Sequence, residues 1–322
     1  MCIRDRTYDN ETITEMAKVF TGMSHSTTNN GRAATSFHNV ARGNDYFYKM
    51  KVWDEEHEPG PKFLINGVEL DCMQTGEEEV QAALNALMSH SSLPPFLSRL
   101  LIQRFTSSNP SPAYLARVSR VWGDDSSGEV ADLGEVIKAI LLDPEALNGS
   151  FGNQFSGKVR EPIIRYASLA RAFNLASESG KYSTNQPLLN DDFGQFPMLS
   201  PSVFNFYLPD FAPEGEFRRS GMVSPELQLA SLSQMLRSDS RFAASVEESG
   251  VLGSFDLTRE LALANNPGVL IDRVDLLMTG GRLRAETKSF ILNAVQSEVT
   301  DLEKVRTAIY LVSQSMECVV LN

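Results

Sequence analysis

Cysteine is scarce, with three in 322 residues. The first, Cys2, lies in an opening Met1–Arg6 that has no signal-peptide character and reads as a non-native start. Cys72 and Cys318 stand too far apart in the chain to make a metal-ligand or redox spacing, so free thiols are expected. No apolar run approaches the ~18 to 20 residues that cross a bilayer. Positive charge is in deficit as well, 29 basic against 41 acidic side chains for a formal charge of −12. That balance argues against a generic nucleic-acid or anionic-membrane binder, because phosphate attracts the opposite sign. Catalytic signatures are missing too: no G-x-S-x-G, no H-E-x-x-H, no phosphate-cradling glycine loop, no Cys paired with a suitable His. No cofactor is therefore expected.

What is present is a soluble globular composition, 42% hydrophobic and 22% charged, on a chain long enough for one large domain or two ordinary ones. The periodicity is mostly helical. From Asp9 to Gly22, Ile13, Met16, Ala17 and Phe20 recur on one face, with Thr12 and Glu15 as a candidate capping box. The period then changes to two. Tyr46–Trp53 and Lys62–Leu70 read as short strands of a β-hairpin insertion at about 46–70, with Asn66-Gly67 as a turn dipeptide. Between them His57 sits among Asp54, Glu55, Glu56 and Glu58. This is a weak metal or acid–base candidate, since no second His follows at i+4, and a solvated acidic turn is the plainer reading.

The best-signalled stretch runs from Leu93 to Leu147 as three helices with marked boundaries. Pro94 and Pro95 open the first, Ser111 and Pro112 the second, and Pro144 ends the third near Asp143. At 100° per residue, Leu97, Leu100, Leu101 and Phe105 share a face with Arg104, while Arg99 and Gln103 point away. A guanidinium on an apolar face needs a partner or a polar cavity, and Glu161 is the candidate partner. Glu161 lies in Lys158-Val159-Arg160-Glu161-Pro162, which gathers three charges at the start of another helix. Residues 177–223 form a long irregular segment dense in proline and aromatics (Phe193, Phe196, Phe204, Phe206, Tyr207, Phe211), packed rather than disordered. Helices return beyond it, with Gly280-Gly281 as a turn.

The expected fold is mainly α, a multi-helix bundle-like body with a small β-hairpin and a long Pro/aromatic-rich loop. Residues 7–240 would form the core region and 241–322 a C-terminal helical subdomain. The most polar constellation is Arg104, Asn109, Arg160, Glu161, Asp191, Asp192 and Asn205. Asn109 and Asn205 equally suit a structural role, their amides satisfying backbone groups at turns.

Four ordered strings, LIQRFTSSNPSPAYLARVSRVW, DLGEVIKAILLDPEA, GKVREPIIRYASLARAF and SPSVFNFYLPDFAPEGE, resemble the hallmark segments of the bacterial Domain of Unknown Function family 1800. ITEMAKVFTGM and MKVWDEEHEPGPKFLINGVELD add to the likeness. The resemblance implies a mostly helical protein without established activity, often exported and encoded beside a second uncharacterised exported family. It therefore implies a periplasmic, cell-surface or extracellular location and a protein partner, and leaves the oligomeric state open. Family members also carry a motif similar to PDENYAREL-QLFT that is missing here, so the chain reads as an N-terminally truncated fragment. Two functions stay open: a non-catalytic binding or assembly role in the cell envelope, or a carboxylate-dependent hydrolase of a polymer or ester. The hydrolase would use Asp191, Asp192 or Glu161 as acid or base and Arg104 or Arg160 to orient substrate.

Overall fold

The computed structural model describes residues 8–41, 47–123, 131–148, 157–177, 180, 191–196, 199–203, 205–229, 232–247 and 254–321. It is mainly α-helical with small antiparallel ribbons, and the chain divides into two compact units, 1–96 and 97–322.

In the first unit, helix α1 (Asn10–Val19) is capped by Asp9, whose carboxylate accepts from the Thr12 amide. The Thr12–Glu15 box is thus replaced by a cap one turn earlier. Gly22, at φ 71°, ends the segment where a Cβ would lie 2.6 Å from the Trp53 carbonyl oxygen, so glycine is required by contact as well as by conformation. The expected hairpin is two ribbons instead of one. Strand β1 (Met23–Ser24) pairs with β2 (Lys51–Val52), and β3 (Lys62–Phe63) pairs with β4 (Glu69–Leu70). The β3–β4 turn contains Asn66 and Gly67, both left-handed, as the dipeptide predicts. The β2 strand turns away at the acidic residues Asp54–Glu56, which form a single 3-10 turn; Tyr46 lies outside the described residues. Helix α2 (Gly76–Met88) starts with a complete Thr75–Glu78 capping box. Val19, Leu64, Leu70 and Ala83 form the core of this unit.

The second unit contains two apolar clusters. Helices α3 (Leu93–Phe105, whose first turn belongs to the other unit), α4 (Pro112–Val121) and α5 (Leu133–Leu141) enclose Ile102, Tyr114, Val118, Trp122, Val136 and Ile140. The Ser111 hydroxyl caps α4 by accepting from the Tyr114 amide, and Asp143 caps the short turn α6 (Pro144–Leu147). Residues 124–130, between α4 and α5, lie outside the described residues. The larger cluster joins α7 (Pro162–Ala172), α8 (Leu232–Glu247), α9 (Pro267–Thr279), α10 (Ala285–Ser297) and α11 (Asp301–Gln314). It includes Tyr166, Leu169, Phe173, Phe193, Phe242, Leu270, Val274, Ile291 and Ile309. Phe193 and Tyr207 are buried, whereas Leu199, Val203 and Leu208 are exposed, so the irregular segment packs through some of its aromatics and not along its whole described length; Phe204 and residues 181–190 lie outside the described residues. Gly280 closes α9 in a left-handed conformation. A final ribbon pairs β5 (Lys158–Val159) with β6 (Val320–Leu321), which holds the segment carrying Arg160 and Glu161 in place. Cys72 and Cys318 are free thiols, the first exposed and the second buried.

Helix α3 departs from the simple wheel. Its buried residues are Ser98, Ile102 and Gln103, while Phe105 is exposed. Periodicity alone put Gln103 outside. Polar partners draw this face inward: the Trp122 indole donates to Ser98 Oγ at 2.8 Å, and the Gln103 amide donates to the Ser108 and Pro209 carbonyls at 3.1 and 3.0 Å. A buried amide so paired costs little.

Candidate polar site at the end of helix α3

The last turn of α3 leaves carbonyls without helical partners. Lys158 supplies them, its Nζ donating to the Gln103 and Arg104 oxygens at 3.0 and 2.8 Å. The same ammonium meets Glu226 Oε1 at 3.0 Å, and the Ser108 hydroxyl donates to Glu226 Oε2 at 3.4 Å. Both charged side chains are buried, so this ion pair is kept by its hydrogen bonds rather than by Coulomb attraction alone.

One residue along, Arg104 turns toward Glu161, with Nη1 3.6 Å from Oε1. Its guanidinium lies 4.2 Å from the centroid of the Tyr207 ring, within the range of cation–π attraction. The Tyr207 hydroxyl donates to Glu161 Oε1 in a short hydrogen bond, and the Gln195 amide donates to Oε2 at 2.5 Å. Both oxygens of Glu161 are therefore engaged. Asn109 mimics a strand partner: its Nδ2 donates to the Val223 carbonyl and its Oδ1 accepts from the Val223 amide, each at 2.9 Å. This side chain pins the 221–226 segment beside the 107–110 turn.

The other residues of the constellation disperse. Arg160 donates to the Met278 carbonyl at 3.2 Å, and its buried Nε makes no hydrogen bond. Asp192 pairs with Arg241 at 2.6 Å. Asp191 is exposed, its backbone carbonyl accepting from the Gln234 amide at 3.2 Å. Asn205 is exposed and left-handed at φ 73°, in a tight turn closed by its amide to the Ser202 carbonyl at 3.1 Å. Asn tolerates this conformation better than most side chains, so its presence in the signature follows from backbone geometry.

His57 belongs to the first unit and is engaged there. Its Nε2 lies 3.0 Å from Glu79 Oε2 and its Nδ1 3.0 Å from the Thr21 carbonyl. Lys62 completes a buried cluster, its Nζ 2.7 Å from Glu79 Oε2 and donating to the Glu58 and Gly60 carbonyls. The neighbouring acids of the loop do not converge on His57; a glutamate 22 residues further on does. Among the described residues no group of three or more His, Cys, Asp or Glu could hold a metal ion.

Sequence reasoning missed Tyr207, Gln195, Lys158 and Glu226 as members of this site. Lys158 carried a signal, as one of three charges gathered before α7. Glu226 carried none, since a lone glutamate after a proline resembles any helix start. Arg165 was missed too. Its guanidinium lies 4.8 Å from the Phe242 ring centroid and donates to the Ser313 carbonyl, and burial pulls its pKa below the usual arginine range.

No helix of the described residues is long and apolar enough to cross a membrane. Neither the curated proteins nor the solved structures contain a significant match to the chain. A family model, by contrast, matches residues 4–320. That span corrects the reading of an N-terminally truncated fragment: the match starts inside the opening read as non-native and runs through the C-terminal helices. The chain belongs to the family described as protein of unknown function, DUF1800.

Proposed function

We propose that this protein is a non-catalytic binding or assembly component of a bacterial cell envelope, exported and working with a protein partner. The observation that carries the reading is that Glu161 and Asp192, two of the three acids such a hydrolase would use, are already occupied, while the third, Asp191, lies in the open rather than in a protected cleft. Glu161 accepts from Tyr207 and Gln195 and faces Arg104. Asp192 is neutralised by Arg241, and Asp191 is exposed. A general acid or base needs a proton-transfer partner in reach and an environment that sets its pKa. Carboxylates locked by arginine and tyrosine serve better as fasteners. Export and the partner rest on the family resemblance.

The test is co-purification with the product of the neighbouring exported-family gene, followed by size-exclusion chromatography at tens of micromolar, with cell fractionation of the source bacterium alongside. A stable complex in an extracytoplasmic fraction is expected. No association, together with a cytoplasmic location, overturns the proposal. Ester or polysaccharide turnover that Glu161→Gln abolishes would replace it with the carboxylate-dependent hydrolase.

A further inference from the structure

A cleft of about 410 Å³ opens beside the Asn109 turn, lined by Arg99, Ser108, Asn109, Pro110, Pro112, Leu115, Gly221 and Met222. Its size falls in the range of small-molecule sites, roughly 300 to 1,000 Å³. The walls offer few hydrogen bonds. Pro110 and Pro112 have no N–H, and Leu115 and Met222 are apolar. The Ser108 hydroxyl is directed to Glu226, and both ends of the Asn109 amide are taken by Val223. Backbone amides here are also spent: Gly221 on the Arg218 carbonyl, Met222 on the Phe217 carbonyl and Leu115 on the Ser111 carbonyl. Arg99 differs from all of these. It is exposed, and among the described residues its side chain has no ion pair or hydrogen bond and no carboxylate lines the cleft with it.

We infer that this cleft binds a molecule with one carboxylate on an apolar body, the carboxylate gripped by Arg99 and the body held against Pro110, Pro112, Leu115 and Met222. The guanidinium fork matches a carboxylate in a bidentate manner. A single cation with no other free donors suits a monoanion; a phosphate monoester would leave its remaining charge and oxygens unpaired. The apolar part has room for one large amino-acid side chain or a medium-length alkyl chain.

Calorimetric titration of the whole protein with octanoate and with N-acetyl-leucine separates the alkyl from the amino-acid source of the same chemistry. Octanol and N-acetyl-leucinamide serve as the uncharged controls. At least one carboxylate is expected to bind at least ten times more tightly than its uncharged control. Arg99→Gln should remove that preference, Arg99→Lys should restore part of it, and Met222→Trp should block the cleft while Arg99 remains. Arg99 is exposed, so its variants should keep the wild-type circular dichroism. Equal binding of acid and control, a preference that survives Arg99→Gln, or no binding of any probe at about 10 mM, where even a millimolar Kd would register, overturns the inference.

Discussion

Replacing Lys158 by Met keeps the length of the side chain and removes its charge. Three contacts go at once: two to the terminal carbonyls of α3 and one to Glu226. The Glu226 carboxylate, 1% exposed, would be left with a Ser108 hydroxyl at 3.4 Å and no counter-charge. Removing one member of a buried ion pair costs ~3–5 kcal/mol, most of it the penalty of the orphaned charge. The carbonyls that lose a partner add to this, at roughly 1 kcal/mol each. Removing both charges is a different matter, because an apolar pair of similar volume can be neutral or better. Lys158→Met with Glu226→Leu should therefore be more stable than Lys158→Met alone. Urea denaturation followed by circular dichroism and tryptophan fluorescence on the wild type, both single variants and the double gives the full cycle, with a coupling of about 2 kcal/mol or more expected. A single variant that loses less than ~1 kcal/mol, or a double variant less stable than either single, would refute the assignment of Lys158–Glu226 as a buried pair that fixes the end of α3.

Three further outcomes follow from other contacts. Asn109→Ala removes both bonds to Val223 and should cost ~1–3 kcal/mol, with faster hydrogen exchange at the Val223 amide. Gly76→Ala places a Cβ 2.3 Å from Val52 Cγ1 and 3.2 Å from His57 Cγ; it should destabilise the first unit by ~1–3 kcal/mol in thermal melts, although alanine is the better helix former. Burial alone would raise the pKa of Glu317, but bonds from Arg284 and Thr287 outweigh it and hold the carboxyl at about 2 instead of 4.5. A carboxyl depressed on folding stabilises the protein above its unfolded pKa, and that contribution is lost as pH falls from 4.5 toward about 2. Glu317→Gln should accordingly show a shallower loss of stability than wild type across that acid range.

Local chemistry determined much of this protein from the sequence alone. Ser111 with Pro112, the Asn66-Gly67 turn and the Gly280 stop each act within a few residues, so their effects are written beside them in the chain. The mainly helical class was legible for the same reason, since a period of 3.6 is a local property. The pairing of Arg104 with Glu161 could also be anticipated, because a charge on an apolar face demands an answer wherever it comes from. Tertiary structure alone decided which partners answered. Gln103 is buried because a carbonyl at Pro209 accepts from it, and His57 ignores its sequence neighbours for Glu79. Lys51–Val52 pairs back to Met23–Ser24 rather than forward. Hydrogen bonds and ion pairs between segments far apart in the chain depend on distances that no spacing encodes. A buried polar group is therefore predictable as a demand, while the residue that meets it is fixed only when the chain has packed.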